Sequence, residues 1–293
     1  MSNSAAPVRH TVTAPGGVRL AAREYPGDGP TVLLLHGYPD NQAVWDRVVP
    51  LLTGRHRVLT YDVRGAGGSD APPDVPQYSL RCLLADLVAV FDALAPAGPV
   101  HLVGHDWGSI QLWEAVTEPA LAPRIASFTS VSGPCLDHAG QWMRDRWRHP
   151  RGWPHGLRQL GKSWYIGYFQ LPVLPELAWR SGLAGRLVQR GEGLPVRPAA
   201  DDGRHGLALY RANMFRRLGV PRQRRTDVPV QLVVPTRDRF VDPRLLADTE
   251  RWAPRLRRHT LDARHWVPYS HPERLAGWIA GFVDDVERDR VPA

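Results

Sequence analysis

Short apolar runs recur along this chain, and nearly all of them stop at a small or charged residue. Thr31–Leu35 ends in His36-Gly37, and Arg57–Tyr61 ends in Asp62. Val100–Val103 ends in "GHDWGS", Gly104 to Ser109, and Ile125–Val131 ends in Ser132-Gly133-Pro134. Val228–Val234 and the weaker Leu256–Leu261 repeat the pattern later. Between them lie segments with helical spacing of apolar residues, Leu80–Leu94 and Pro272–Val286. Strands alternating with helices predict an α/β fold, a mostly parallel sheet flanked by helices on both faces. Ligands of such sheets sit outside the carboxyl ends of the strands. The polar motifs fall at those ends.

The alternation breaks after Val131. Residues 135–225 lose strand signals and turn rich in Trp, Arg, Gly and Pro, with a helical piece at Leu207–Leu218. This predicts three parts: a first core segment, 1–134; a helical insertion over the sheet, 135–225; and a second core segment, 226–293. Charge divides the same way. Cys135 to Arg225 holds 16 Arg and one Lys against six acids, a net of +11, although the whole chain carries only +8 and the rest is therefore about −3. The charge is read either as an arginine-rich solvated surface or as a basic mouth toward an acidic substrate, an acyl carrier or a membrane surface. No recognised motif supports nucleic acid. No apolar run of 18 residues occurs, so no integral membrane association is expected. The beginning, "MSNSAAPVRHTVTAPGG", has no apolar stretch of the signal-peptide kind. Cys82 and Cys135 are the only cysteines, which suggests reduced thiols, a cytoplasmic location and no thiolate metal site.

Four strand ends carry the candidate chemistry. In "GHDWGS" small residues bracket Asp106, at the tip where a G-x-S-x-G elbow presents its nucleophile. The bland alternative is that Asp106 caps the following helix. His36-Gly37-Tyr38-Pro39 follows a buried strand. In this class of sheet the backbone amides of Tyr38 and Trp107 would form the oxyanion hole. Asp238, in "TRDR", and His265, in "ARHW", follow two successive late strands and suit a base with its orienting carboxylate. The chain order Asp106, Asp238, His265 is nucleophile, acid, histidine. Asp137 is the other candidate for the acid.

These motifs resemble the α/β-hydrolase fold and, within it, the epoxide hydrolases. The similarity covers "HGYPD" at His36, "YDVRGAGGSD" at Tyr61, "GHDWGS", "PTRDRFV" at Pro235 and "ARHWVP" at Ala263. The haloalkane dehalogenases share those sites, and the insertion separates the two families. There "WYIGYFQLP", Trp164 to Pro172, and "ALYRANMF", Ala208 to Phe215, resemble the epoxide-hydrolase cap segments. They imply Tyr165 and Tyr210 as acids over the nucleophile, with Tyr168 one helical turn from Tyr165. Leu209 departs from the aromatic usual before the second tyrosine. His36, Pro39, Trp164 and Trp266 are expected to line the pocket.

The resemblance implies an epoxide opened to a vicinal diol through an Asp106 ester, with His265 and Asp238 activating water and no cofactor or metal. The chemistry explains the aspartate. A serine attacking saturated carbon would leave an ether, whereas a carboxylate leaves an ester that water can cleave. Haloalkane dehalogenase and a ligand-binding module without chemistry are the rivals. A fluoroacetate-type dehalogenase lacks its arginines here, since Trp107 and Ile110 stand after the nucleophile. Ser69 and Ser109 occupy no elbow tip, which argues against a serine esterase. The partner is a small epoxide, natural-product or fatty; oligomeric state is open. The chain also resembles the hydrolase half of some bacterial proteins in which a short-chain dehydrogenase follows, which would make the terminal "VERDRVPA" a linker, although nothing in the sequence itself shows a second domain.

Overall fold

The computed structural model describes residues 6–290. The first five residues of the leader reading, and 291–293 of the linker reading, lie outside them.

Eight strands form one sheet in the order β1-β2-β4-β3-β5-β6-β7-β8. They are β1 Val8–Thr13, β2 Arg19–Tyr25, β3 Thr31–Leu35, β4 Arg57–Tyr61, β5 Val100–His105, β6 Ile125–Val131, β7 Val230–Pro235 and β8 Leu256–Leu261. β3 to β8 are parallel, and β1 and β2 join antiparallel at one edge. This is the mostly parallel sheet that the alternation predicts. The edge hairpin is an addition. Its strands, "VRHTVT" and "RLAAREY", carry charges on the solvent side and present no continuous apolar run.

The α-helices are α1 Val49–Leu52, α2 Leu80–Leu94, α3 Trp107–Val116, α4 Leu136–Arg148, α5 Trp153–Lys162, α6 Trp164–Tyr168, α7 Leu174–Arg180, α8 Leu183–Glu192, α9 Ala200–Gly219, α10 Val267–Ser270 and α11 Pro272–Arg290. Period-two strands feed two cores. Leu33, Leu35 and Leu102 point to one, where α2 and α3 place Leu87, Phe91 and Trp113. Val32, Leu34 and Val103 point to the other, where α11 places Leu275, Ile279 and Val283.

From β3 the order runs to β4 on one side and to β5 on the other. The crevice between the ends of β3 and β5 is therefore the switch point where ligands of open α/β sheets bind. Between β6 and β7 the chain is helical from α4 to α9. This insert is tied down over the switch point by buried polar groups on α9. Asp202 accepts from Asn41 Nδ2 at 2.8 Å and from the Gly67 amide at 2.9 Å. Asn213 accepts from the Leu80 amide at 2.8 Å and donates to the Tyr78 carbonyl at 2.9 Å.

Candidate active site

Asp106 sits between β5 and α3 with φ 53° and ψ −119°, a conformation that non-glycine residues rarely adopt. Such a residue stores on the order of 1–3 kcal/mol of strain. The surroundings hold it there. Its amide donates to the Val131 carbonyl at 3.0 Å, and its own carbonyl accepts from Ile110 at 3.0 Å. Two glycines make the close approach possible. A Cβ on Gly108 would lie 2.2 Å from the Leu35 carbonyl oxygen, and one on Gly37 would lie 2.5 Å from the Asp106 side chain. The side chain does not cap α3. Asp106 Oδ1 instead accepts from the Tyr38 amide at 2.8 Å, and Oδ2 lies 3.3 Å from His265 Nε2.

Behind His265, Nδ1 and Asp238 Oδ2 are 2.8 Å apart, and both side chains are buried. Asp238 Oδ1 accepts from the amides of Phe240 and Val241 at 2.8 and 3.0 Å. Burial opposes ionisation of Asp238, but His265 and those two amides outweigh it and hold the carboxyl below its usual range. Burial likewise pushes His265 down, and the two carboxylates beside it, Asp238 and Asp106, pull it well above the ordinary histidine value. Neighbouring His105 is pushed down to about 4 by burial and then by His265, so it stays neutral.

Asp137 belongs elsewhere. It is fully buried, accepts from the Arg222 amide at 2.8 Å and pairs with Arg224 at 2.9 Å, in a cluster with Glu114 and Arg217. The structure therefore brings Asp238, not Asp137, to the histidine.

Tyr165, on α6, and Tyr210, on α9, share two cavities with Asp106, and their ring centroids are 5.8 Å apart. Tyr210 also packs edge-on against Trp107 at 5.0 Å and Tyr38 at 5.1 Å, and Tyr165 against Phe240 at 5.5 Å. Burial, reinforced by Asp106, raises both phenols, so they are protonated at neutral pH. Tyr168 is used differently, donating to the Leu174 carbonyl at 3.3 Å.

Two chambers of about 320 and 330 Å³ meet at Asp106, and Tyr165, Tyr210, Phe240 and Trp164 border both. Pro39, Trp266 and Trp164 line the first chamber. His36 does not. Its Nε2 accepts from the Val63 amide at 2.9 Å, and Nδ1 lies 2.9 Å from the Gly37 carbonyl oxygen. Those bonds spend the ring on shaping the loop. Of the two expected oxyanion amides, Tyr38 is on the carboxylate. Trp107 contributes an amide of the first helical turn, where no i−4 carbonyl competes, and its buried indole Nε1 has no acceptor within hydrogen-bond distance among the described residues.

Several residues of the site have no role assigned from the sequence. Asp40 is buried, accepts from Trp266 Nε1 at 2.7 Å and is raised by burial to about 7. Glu192, at the end of α8, is raised by burial beside His265. Gln159 and Lys162 on α5 grip the acid loop. Gln159 accepts from the Asp242 amide at 2.8 Å, and Lys162 donates to the Asp238 carbonyl at 2.5 Å. Phe240, inside the quoted "TRDRFV", has its ring 4.9 Å from His265. Only its apolar type, two residues after the acid, could have signalled a wall of the pocket.

Comparison with known proteins places this geometry. Residues 30–272 match the family described as alpha/beta hydrolase fold. A protein of Mycobacterium tuberculosis named "Probable oxidoreductase EphD" is 40% identical over 290 residues, 93% of this chain and 49% of the relative. The chain thus spans about half the length of the mycobacterial relatives it matches. "Epoxide hydrolase 3" of Mus musculus is 27% identical over 279 residues, 89% of this chain and 72% of the relative. Among solved structures, a Bacillus megaterium epoxide hydrolase in complex with an inhibitor superposes with a TM-score of 0.78. It shares 21% identity and covers 94% of this chain and 100% of its own.

Proposed function

The chain belongs to the alpha/beta hydrolase fold family, and from that premise we propose that it is an epoxide hydrolase, working through an ester on Asp106 under a cap formed by residues 135–225. The cap closes over core segments 1–134 and 226–293. One observation carries the reading: Asp106 has one oxygen held by the Tyr38 amide and the other 3.3 Å from His265, with two protonated phenols packed above.

Oδ2 attacks one epoxide carbon and the C–O bond breaks. Tyr165 or Tyr210 donates its proton to the departing oxygen. An alkoxide is far more basic than a phenolate, so the transfer runs downhill even from a raised phenol. Esterification then removes the charge of Asp106. With it goes one of the two carboxylates that raise His265, so the imidazolium gives its proton up, restoring the phenol that ring opening left as phenolate, and the neutral imidazole can accept a proton at the step that needs a base. Water attacks the ester carbonyl and gives its proton to His265. The amides of Tyr38 and Trp107 stabilise the oxyanion. Collapse expels the diol alkoxide, which takes the proton from His265; a water oxygen stays in Asp106, whose carboxyl then returns its proton to His265 and restores the resting pair.

The haloalkane dehalogenase reading would use the same Asp106 and His265, with the unpaired indole of Trp107 on the halide. It leaves the two phenols without a task, and a halide-release assay beside a diol assay separates the two. The names of the relatives support epoxide chemistry. The word "oxidoreductase" describes a protein about twice the length of the segment matched here. A single turnover in ¹⁸O-water tests the ester. We expect the label in Asp106, and label in the diol alone would overturn the scheme.

A further inference from the structure

Helix α5 is inside out for a solvent-covered helix. Its inward face is polar or small: Gly156 and Gln159 are buried, and Gln159 and Lys162 bond the loop that carries Asp238. Its outward face is apolar: Trp153, Leu157 and Leu160, spaced i, i+4, i+7, are 48%, 59% and 50% exposed. A surface helix of a globular protein has the reverse arrangement. Trp164, 68% exposed, follows in the next helix. It borders both chambers, with Leu160 on the rim of one and Leu183 and Leu187 of α8 on the rim of the other. Both mouths therefore open within one apolar surface. Among the described residues, all the exposed large hydrophobics except Val8 and Leu51 lie between Trp147 and Val220. The apolar surface is thus confined to the segment that carries the +11 charge.

That charge is largely free. Arg151, Arg180, Arg186, Arg190, Arg197 and Arg216 are exposed, and none has a carboxylate within 4.0 Å among the described residues. Arg186 and Arg190 alternate with Leu183 and Leu187 along α8, and Arg151 stands just before the α5 row. Such a mixture suits a surface with phosphates outside and hydrocarbon beneath. A second copy of the chain would set like charges against each other. A nucleic acid would leave the leucines in water. We propose that this face of the insert docks on an anionic phospholipid surface, with α5 lying in the headgroup region and both chamber mouths turned toward the acyl chains. The inference goes beyond the proposed chemistry and does not depend on it.

The test is sedimentation of the full chain with extruded vesicles of phosphatidylcholine alone or mixed with phosphatidylglycerol. The expected result is binding at least about tenfold stronger to the anionic vesicles, weakened as salt rises from about 0.05 to about 0.5 M. Brominated acyl chains should quench tryptophan emission. W153Q/L157Q and, separately, R186Q/R190Q should each weaken binding by about tenfold or more at unchanged melting temperature, since none of these side chains lines a chamber. L157Q alone serves if the double variant fails to fold. No binding, equal binding to both vesicles, or binding lost with the arginines but indifferent to Leu157 and to bromination overturns the proposal. So does a dimer, seen by sedimentation velocity, that L157Q dissociates.

Discussion

The two halves of the candidate site are built by different physics. The sheet half holds Asp106, Asp238 and His265 at strand ends, and backbone groups aim the carboxylates: Tyr38 on Asp106, Phe240 and Val241 on Asp238. The insert half holds Tyr165 and Tyr210 chiefly by ring packing. The contacts of these rings with Phe169, Phe240, Trp107 and each other are edge-on aromatic ones, and the polar neighbours of the two hydroxyls are each other and the Trp107 indole. Directional bonds fix a nucleophile before substrate arrives. Packing leaves a phenol free to turn its proton toward an oxygen whose position depends on the substrate. The comparison therefore assigns precision to the sheet and adaptability to the insert.

The sharpest way to break that division is to remove sheet-side groups and watch where the chemistry stops. Asp106→Ala should lower diol formation by about 10⁴-fold or more, as losses of a nucleophile generally do, and should abolish any mass gain on adding an epoxide. His265→Gln should lower steady-state turnover by about 10³-fold while leaving ring opening intact. Intact-mass measurement should then show the protein heavier by one substrate. An unmodified His265→Gln protein would mean that no ester forms.

The insert side should respond less. Tyr165→Phe and Tyr210→Phe should each slow ring opening by about 10²-fold or less, because one phenol still reaches the departing oxygen, and the double variant should lose more. Single-turnover alkylation rates check this. Ring packing rather than a strong polar bond holds each side chain, so stability should move by no more than about 1 kcal/mol. A loss of several kcal/mol on removing either hydroxyl would erase the distinction between the two halves.

The same difference explains what was legible in the sequence. Strand-end residues announce themselves, because a buried apolar run must stop where a polar group turns out toward ligand. Asp106, Asp238 and His265 were readable for that reason. So were the spans of β3, β4 and β6, whose residues are mostly apolar, and of α2, whose apolar residues keep a helical spacing. The edge strands β1 and β2 were not, because half their residues face water. His36 was misassigned because residue type does not tell which way a ring points, and both its nitrogens turn to backbone. In the insert, helicity was legible but facing was not. The outward leucines of α5 share their period with a buried face, and only the bonds of Gln159 and Lys162 to the acid loop show which side is inward.

Asp40 tests the sheet half at its least expected point. Its carboxyl is buried, bonded to Trp266 Nε1 and raised to about 7 from an ordinary value of 3.8. A carboxyl raised in the folded state binds its proton more tightly there than in the unfolded chain. Its contribution to stability is therefore present below pH 4 and is lost progressively as pH rises toward 7. Over that window the loss amounts to up to about 4 kcal/mol. Asp40→Asn keeps an acceptor for Trp266 and carries no proton to lose. Relative to the parent, the variant should gain stability as pH climbs from 4 to about 7, then hold that gain above it. Denaturant midpoints taken across this range measure the difference. Two parallel pH profiles would show that Asp40 ionises as easily folded as unfolded, and that the sheet half solvates its carboxylates better than its burial implies.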